Sequence, residues 1–310
     1  MEQTTKRKDF SWSTVIALGV VVAALSGCGD GASEPTHESS EIRQAVFPVS
    51  GSPSVGVTAS NGRVTVRGQA GLAEVRVTST LHNRGASIAQ AENRVDEMSV
   101  LATQEGDRIV LRYDASEQPE VAREHGRVDF DVTMPIVGGV SVDVGNGAID
   151  VAGLEGTVVL KTTNGEIAAG DIAGALDART SNGPIDVTRV QGALRLDSSN
   201  GRLRMTGIEG SVDAETSNGS ILFGGRLIGA THRMQTSNGD LIIELPDDLA
   251  IAIDATASDG IETEDLQLDG DTEGRDWLAT MNPPADAMLE LFTSNGRIEI
   301  RAAPQEDREG

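Results

Sequence analysis

Aromatic side chains are scarce: five Phe, two Trp and one Tyr make up 3% of the 310 residues. A broad core built on rings is thereby disfavoured, and a narrow interior filled by Val, Ile, Leu and Ala is favoured. Cys28 is the only cysteine, so no disulfide can form within the chain. Basic residues are few, with 25 Lys and Arg against 48 Asp and Glu and a net charge of −23, which argues against a nucleic-acid partner. The four histidines, His37, His82, His125 and His232, have no metal-ligand spacing. There is no Ser-His-Asp signature, no phosphate loop and no Cys-x-x-Cys. The sequence therefore points to no catalytic residue, metal or cofactor.

Long hydrophobic runs are missing too. The apolar stretch Val15 to Leu25 is too short to span a bilayer well and follows the basic cluster Lys6, Arg7 and Lys8. Leu25-Ser26-Gly27-Cys28 then resembles the bacterial lipobox, in which the cysteine is acylated and becomes N-terminal. Residues 1–27 are expected to be a lipoprotein signal peptide. Their removal takes away three basic and two acidic groups and leaves a charge of −24. Lipidated Cys28 would hold the chain on a membrane in the cell envelope, with no need for a spanning helix. Gly29 follows in place of an inner-membrane retention aspartate, which favours the outer membrane over the inner. Residues 28–45, polar at first, read as a flexible tether.

What the chain has in abundance is 36 glycines and a repeat. Ser/Thr-Asn-Gly or a close variant recurs at Asn146-Gly147, Asn164-Gly165, Asn182-Gly183, Asn200-Gly201 and Asn218-Gly219, each 18 residues after the last. Asn238-Gly239 follows after 20 residues, a degenerate copy at Asp259 after 21, and Asn295-Gly296 after a further 36. A fixed short period means one unit stacked on itself. Residues 183–201 show the unit: Ile185 and Val187 alternate with polar residues, Gln191-Gly192 turns, and Leu194 and Leu196 alternate again. The fold class expected is all-β: a right-handed β-solenoid of about 18 residues per coil over residues 136–301, with residues 302–310 as a polar tail.

The offsets assign columns. Three residues after each asparagine stand Ile149, Ile167, Ile185, Leu203, Ile221 and Leu241; two before stand Thr162, Thr180, Ser198, Thr216 and Thr236. Both columns share the inward parity, which removes a flat outward threonine array of the ice-binding kind. Five before the asparagine the outward residues Asp177, Arg195, Asp213 and Arg233 alternate in sign, which favours in-register stacking. The Asn-Gly steps are expected to take positive φ at tight turns, with the asparagines hydrogen-bonded coil to coil as a ladder and the preceding Ser/Thr joining it. One motif per 18 residues, without Gly-Gly-x-Gly-x-Asp, disfavours a calcium β-roll.

Residues 46–135 are less regular and are expected to form an N-terminal β region. Asn61-Gly62 is an early copy of the turn. Residues 87–98 read as one inserted helix, with Ser87 and Gln90 at capping-box spacing, covering an open end or side of the sheet. Residues 262–290 depart from the repeat and read as a cap, or a loop with Trp277 exposed as a candidate contact.

Asn61-Gly62-Arg63-Val64-Thr65-Val66, the Met134-Pro135 step before Val140-Ser141-Val142-Asp143-Val144, and the iterated Thr-Ser-Asn-Gly units resemble a bacterial envelope family labelled putative adhesin, a domain of unknown function. The resemblance covers most of residues 46–301 and implies a binding role, with no catalytic residue to carry over. The reading is a non-enzymatic lipoprotein that binds or scaffolds through a rigid solenoid, with an envelope protein or a glycan as partner besides the membrane. The alternatives are a carbohydrate-active enzyme on the same scaffold, disfavoured because the acids are dispersed, and an envelope signalling accessory.

Overall fold

The computed structural model describes residues 37–303. Two long sheets, of 12 and 13 strands, face each other across one continuous core that runs from Val55 to Ile300. Each coil of the regular array gives one strand to each sheet. Ile149–Glu155, Ile167–Ala173, Ile185–Gln191 and Leu203–Gly210 stack in the first sheet; Val158–Asn164, Leu176–Asn182, Leu194–Ser198 and Val212–Asn218 stack in the second. The pairing is parallel with a one-coil offset, Ile167 opposite Ile185 and Leu160 opposite Ala178, so the expected columns are the observed ones. The protein is an all-β solenoid. Its interior is wide enough only for two facing layers of aliphatic side chains, which is why so few rings suffice.

The Ser/Thr column is buried, and each hydroxyl has a defined acceptor. Thr162, Thr180, Ser198, Thr216, Thr236 and Thr293 donate to the carbonyls of Gly147, Gly165, Gly183, Gly201, Gly219 and Gly239, at 2.8 to 3.3 Å. A polar group at an inward position is tolerated because its partner lies in the same turn, one coil away.

The reason for glycine in the Asn-Gly step differs from the expectation. None of the ladder asparagines has positive φ, and of their glycines only Gly62, Gly239 and Gly296 do. The constraint is close approach. A Cβ on Gly147, Gly165, Gly183 or Gly201 would lie 1.8 to 2.0 Å from the carbonyl oxygen of the glycine stacked before it. The turns pile backbone on backbone, and only a residue without a side chain fits.

At both ends the stacking order departs from chain order. Ser54–Asn61 and Val64–Gln69 form a coil lying directly on Gly139–Asn146 and Ile149–Glu155. The intervening strands Arg108–Tyr113 and Arg127–Pro135 lie outside it. At the other end Ile251–Ala257 and Ile261–Glu264 form the outermost coil. Met288–Asn295 and Ile298–Ala302 return between it and Thr231–Asn238 with Leu241–Leu245. The irregular N-terminal region is thus continuous with the array rather than a separate unit.

Further corrections concern the flanks. The tether reading of residues 28–45 fails from His37 onward: His37–Pro48 is a strand paired antiparallel with Glu74–Gly85, its Phe47 packed against the core. The rest of that tether, the signal peptide and Cys28 lie outside the described residues, as do residues 304–310 of the tail; Ala302 ends a strand. The inserted helix is Ile88–Asp96. Ser87 Oγ accepts from Gln90 N–H at 3.2 Å, Gln90 Oε1 accepts from Ala86 N–H at 2.7 Å, and Ala91 and Val95 are buried. It packs on Glu74–Gly85 and His37–Pro48. It is not alone: a 3-10 turn, Ala115–Glu117, and a second one-turn helix, Glu120–Arg123, follow. Residues 262–290 are a hairpin rather than a loose loop. Asp269–Asp271 pairs with Asp276–Met281, which pairs antiparallel with Ile251–Ala257. Trp277 points inward and is 6% exposed, so it is no surface contact. Burial follows from parity: Trp277 lies opposite the buried Ala255.

Candidate binding surface

One corner of the solenoid carries the asparagine ladder. Asn146 Nδ2 donates to Asn61 Oδ1, and Asn164, Asn182, Asn200, Asn218, Asn238 and Asn295 each donate to the asparagine before, at 2.7 to 2.9 Å. Asn200, Asn218, Asn238 and Asn295 also donate to the carbonyls of Ser181, Ser199, Ser217 and Ser237 at 3.3 to 3.4 Å. Their amide protons are therefore used within the stack. The ladder ends where the outermost coil places Asp259, whose carboxylate has no N–H to give to Asn295. Gly147, Gly165, Gly183, Gly201, Gly219, Gly239 and Gly296 stack beside it.

The outward charges form exposed pairs. Arg195 meets Asp213 at 3.4 Å in the next coil, as the alternating column suggests, and Lys161 meets Asp143 at 3.7 Å, whereas Asp177 pairs with Arg179 of its own strand at 2.8 Å. Among the described residues no group of three or more His, Cys, Asp or Glu is placed to hold a metal. No helix among them is long and apolar enough to cross a membrane.

Two side-chain clusters depart from simple stacking. On the first sheet near the N-terminal end, His82 lies between Glu38 and Asp129, 3.3 Å from each, and Arg84 and Arg127 reach Glu38 at 3.0 and 3.1 Å. Burial would raise the Asp129 carboxyl, but hydrogen bonds from His82 and the Arg63 amide outweigh it and hold it below its ordinary range. This cluster ties the edge strand His37–Pro48 to Glu74–Gly85 beside it and to Arg127–Pro135 one strand further in. His232, in the inward column with Leu194 and Val212, is fully buried despite the adjacent two-residue insertion. Its Nδ1 accepts from Val212 N–H at 3.4 Å and its Nε2 has no partner.

The second cluster lies in a groove of about 610 Å3 along the first sheet. Seven residues after the asparagine the strand bulges outward in four successive coils. Gly153, Asp171, Arg189 and Gly207 all have left-handed backbone, with φ of 76°, 53°, 52° and 67°. The ladder skips them, pairing Gly170 with Thr188 and Ile172 with Val190. The Arg189 guanidinium forms two bonds to Asp171, Nε to Oδ1 at 2.6 Å and Nη2 to Oδ2 at 2.8 Å, and holds that carboxyl below its ordinary range. Glu155, Gln191 and Glu209 line one side of the groove, and Ile136 and Ala173 supply apolar wall. Sequence reading missed this site. The available signal was glycine at the same offset in two coils, with two charged residues replacing it between them.

None of the curated proteins matches the chain at a significant level. Among solved structures it is similar to an adhesin from Parabacteroides distasonis described as putative (11% identity, 85% of this chain and 97% of that one, TM-score 0.41). It is also similar to a putative adhesin from Bacteroides fragilis (11%, 85% and 97%, TM-score 0.36) and to a putative lipid binding protein from Parabacteroides distasonis (8%, 83% and 96%, TM-score 0.39). A family model of a domain of unknown function matches residues 53–301, both displaced end coils included, and the chain belongs to that family, Toastrack DUF4097.

Proposed function

We propose that this protein is a non-enzymatic cell-envelope lipoprotein that binds or scaffolds through its rigid solenoid, anchored by acyl chains on Cys28 to the outer membrane. One observation carries the non-enzymatic reading: the polar chemistry of the asparagine corner and of the buried hydroxyl column is spent between coils. Asparagine amides bond to asparagines, buried hydroxyls to glycine carbonyls, and many exposed charges to each other. A hydrolase or lyase on this scaffold would need acids converging on one bond, at separations that suit acid and base roles. The outward acids instead alternate with bases along their column, and in the groove Asp171 is held by Arg189. A stack held this way keeps its outer faces at fixed spacing, and a partner docking on them need not order the chain first.

The test is crosslinking and pull-down from intact cells with the wild-type chain as bait and Cys28→Ala as control. A reproducible envelope protein or glycan captured by the wild type and lost in the control is the expected result. Capture that is equal in both would remove the anchoring claim. Labelled fatty acid incorporated by the wild type and not by Cys28→Ala, followed by separation of inner and outer membranes, tests lipidation and address directly.

A further inference from the structure

Asp171 and Arg189 occupy backbone that glycine takes in the coils on either side, at Gly153 and Gly207. Left-handed backbone is unfavourable for a residue that carries a side chain. An ion pair with side chains 52% and 67% exposed is screened by water and returns little. Stacking alone would therefore be served at least as well by glycine. The two side chains line a groove of the first sheet, and strained residues of this kind gather at functional sites.

The groove also narrows what it can hold. Its backbone is already paired: the carbonyls of Ala173, Gln191 and Glu209 accept from Gly156, Gly174 and Gly192 at 2.8 to 2.9 Å. An extended peptide finds no free strand edge there. What remains is planar side-chain chemistry. The Glu155 carboxylate has no hydrogen bond or ion pair, and Gln191 reaches Glu209 only at 3.5 Å. The Asp171–Arg189 pair keeps lone pairs and N–H groups to spare. Carboxylates accept from hydroxyls and the guanidinium and amide donate to them, so adjacent hydroxyls can be met by neighbouring groups. Successive coils present these groups about every 4.8 Å, close to the length of one sugar in a linear chain. Three carboxylates to one guanidinium leave the groove negative, which repels uronates and phosphates and admits neutral or amine-bearing rings.

Resting on the envelope-binding reading, we propose that the groove around Asp171 and Arg189 binds a short neutral or amine-bearing oligosaccharide of two or three sugars. The full chain is titrated calorimetrically with trimers of glucosamine, N-acetylglucosamine and galacturonic acid. The first two are expected to bind and the third not. Asp171→Gly with Arg189→Gly removes the recognition groups while giving the backbone the residue it has in neighbouring coils. That variant should bind at least tenfold more weakly, with an unchanged or higher thermal midpoint. Glu155→Gln, on an exposed unpaired residue, should weaken the glucosamine trimer more than the N-acetylated one. Failure of the first two trimers to bind at millimolar concentration, equal binding of the uronate, or unchanged affinity in the double glycine variant would each overturn the proposal. An envelope partner captured from cells despite that failure leaves the broader reading standing. Trimer binding without any captured partner would remove scaffolding and keep the groove.

Discussion

Thr216 is fully buried and donates to the Gly201 carbonyl at 2.9 Å, so its hydroxyl holds one turn to the next. Thr216→Val keeps the shape but deletes the donor and leaves that carbonyl without its side-chain partner, which should cost about 1–2 kcal/mol in urea unfolding. Thr163→Val, one surface residue away in an equivalent coil, should stay within about 0.5 kcal/mol. Gly201→Ala is harsher, since its Cβ would lie 1.8 Å from the Gly183 carbonyl oxygen, and a loss of about 3 kcal/mol or more is expected by the same measurement. His232 adds a pH dependence. Burial lowers its pKa from the ordinary 6.5, against a smaller opposing influence of the nearby Gly229 backbone. The unfolded chain therefore takes up the proton first. The stability linked to this residue is complete above pH 6.5 and is lost as pH falls from there through the folded-state pKa. Unfolding free energies from pH 8 to 5 should fall less steeply in His232→Leu, which matches Leu194 and Leu289 in its column. An unaltered slope would place the acid sensitivity elsewhere.

The terminal hairpin, Asp269–Asp271 with Asp276–Met281, is held onto the array by Trp277. Trp277→Ala opens a cavity in a narrow core and should cost about 3–5 kcal/mol in chemical unfolding. Trp277→Phe keeps most of the packing and deletes an indole N–H that has no partner, so it should be far milder. The element's existence was hard to read from sequence. Asp269–Asp271 carries no apolar residue, so it gives no alternation, and its partner strand looks like any short Leu-Ala run. The helix was legible because Ser87 and Gln90 state its start locally, whereas the strand His37–Pro48 was not. Its long polar N-terminal half reads as solvated chain until Glu74–Gly85, far along the sequence, supplies the hydrogen bonds.

Across the whole molecule the unpaired edges of both sheets invite end-to-end association. The outer strand of the 12-stranded sheet, Ile261–Glu264, is only four residues long and exposes Glu262, Thr263 and Glu264. Replacing Glu262 and Glu264 with Thr removes like charge from an open edge and should shift the protein towards dimers or larger species in light scattering, while unfolding stability changes little. The return of Met288–Asn295 and Ile298–Ala302 into the stack serves the same end, since it covers two otherwise open edges and leaves a short charged strand outermost.

Periodicity belongs to the sequence. The 18-residue interval, the inward aliphatic and hydroxyl columns and the asparagine corner could be assigned before any coordinates, because every coil repeats the same local solution. A repeat says which column a residue joins and is silent about which coil lies next to it. Asn295 matches Asp259 and Asn238 equally well by offset, and only packing placed it against Asn238, where both edges of its coil are covered. The groove was decided at the same level. Taken singly, Asp171 and Arg189 are not marked apart from the other charges in the sequence; four stacked bulges bring their coils into line and turn an irregular backbone into a surface.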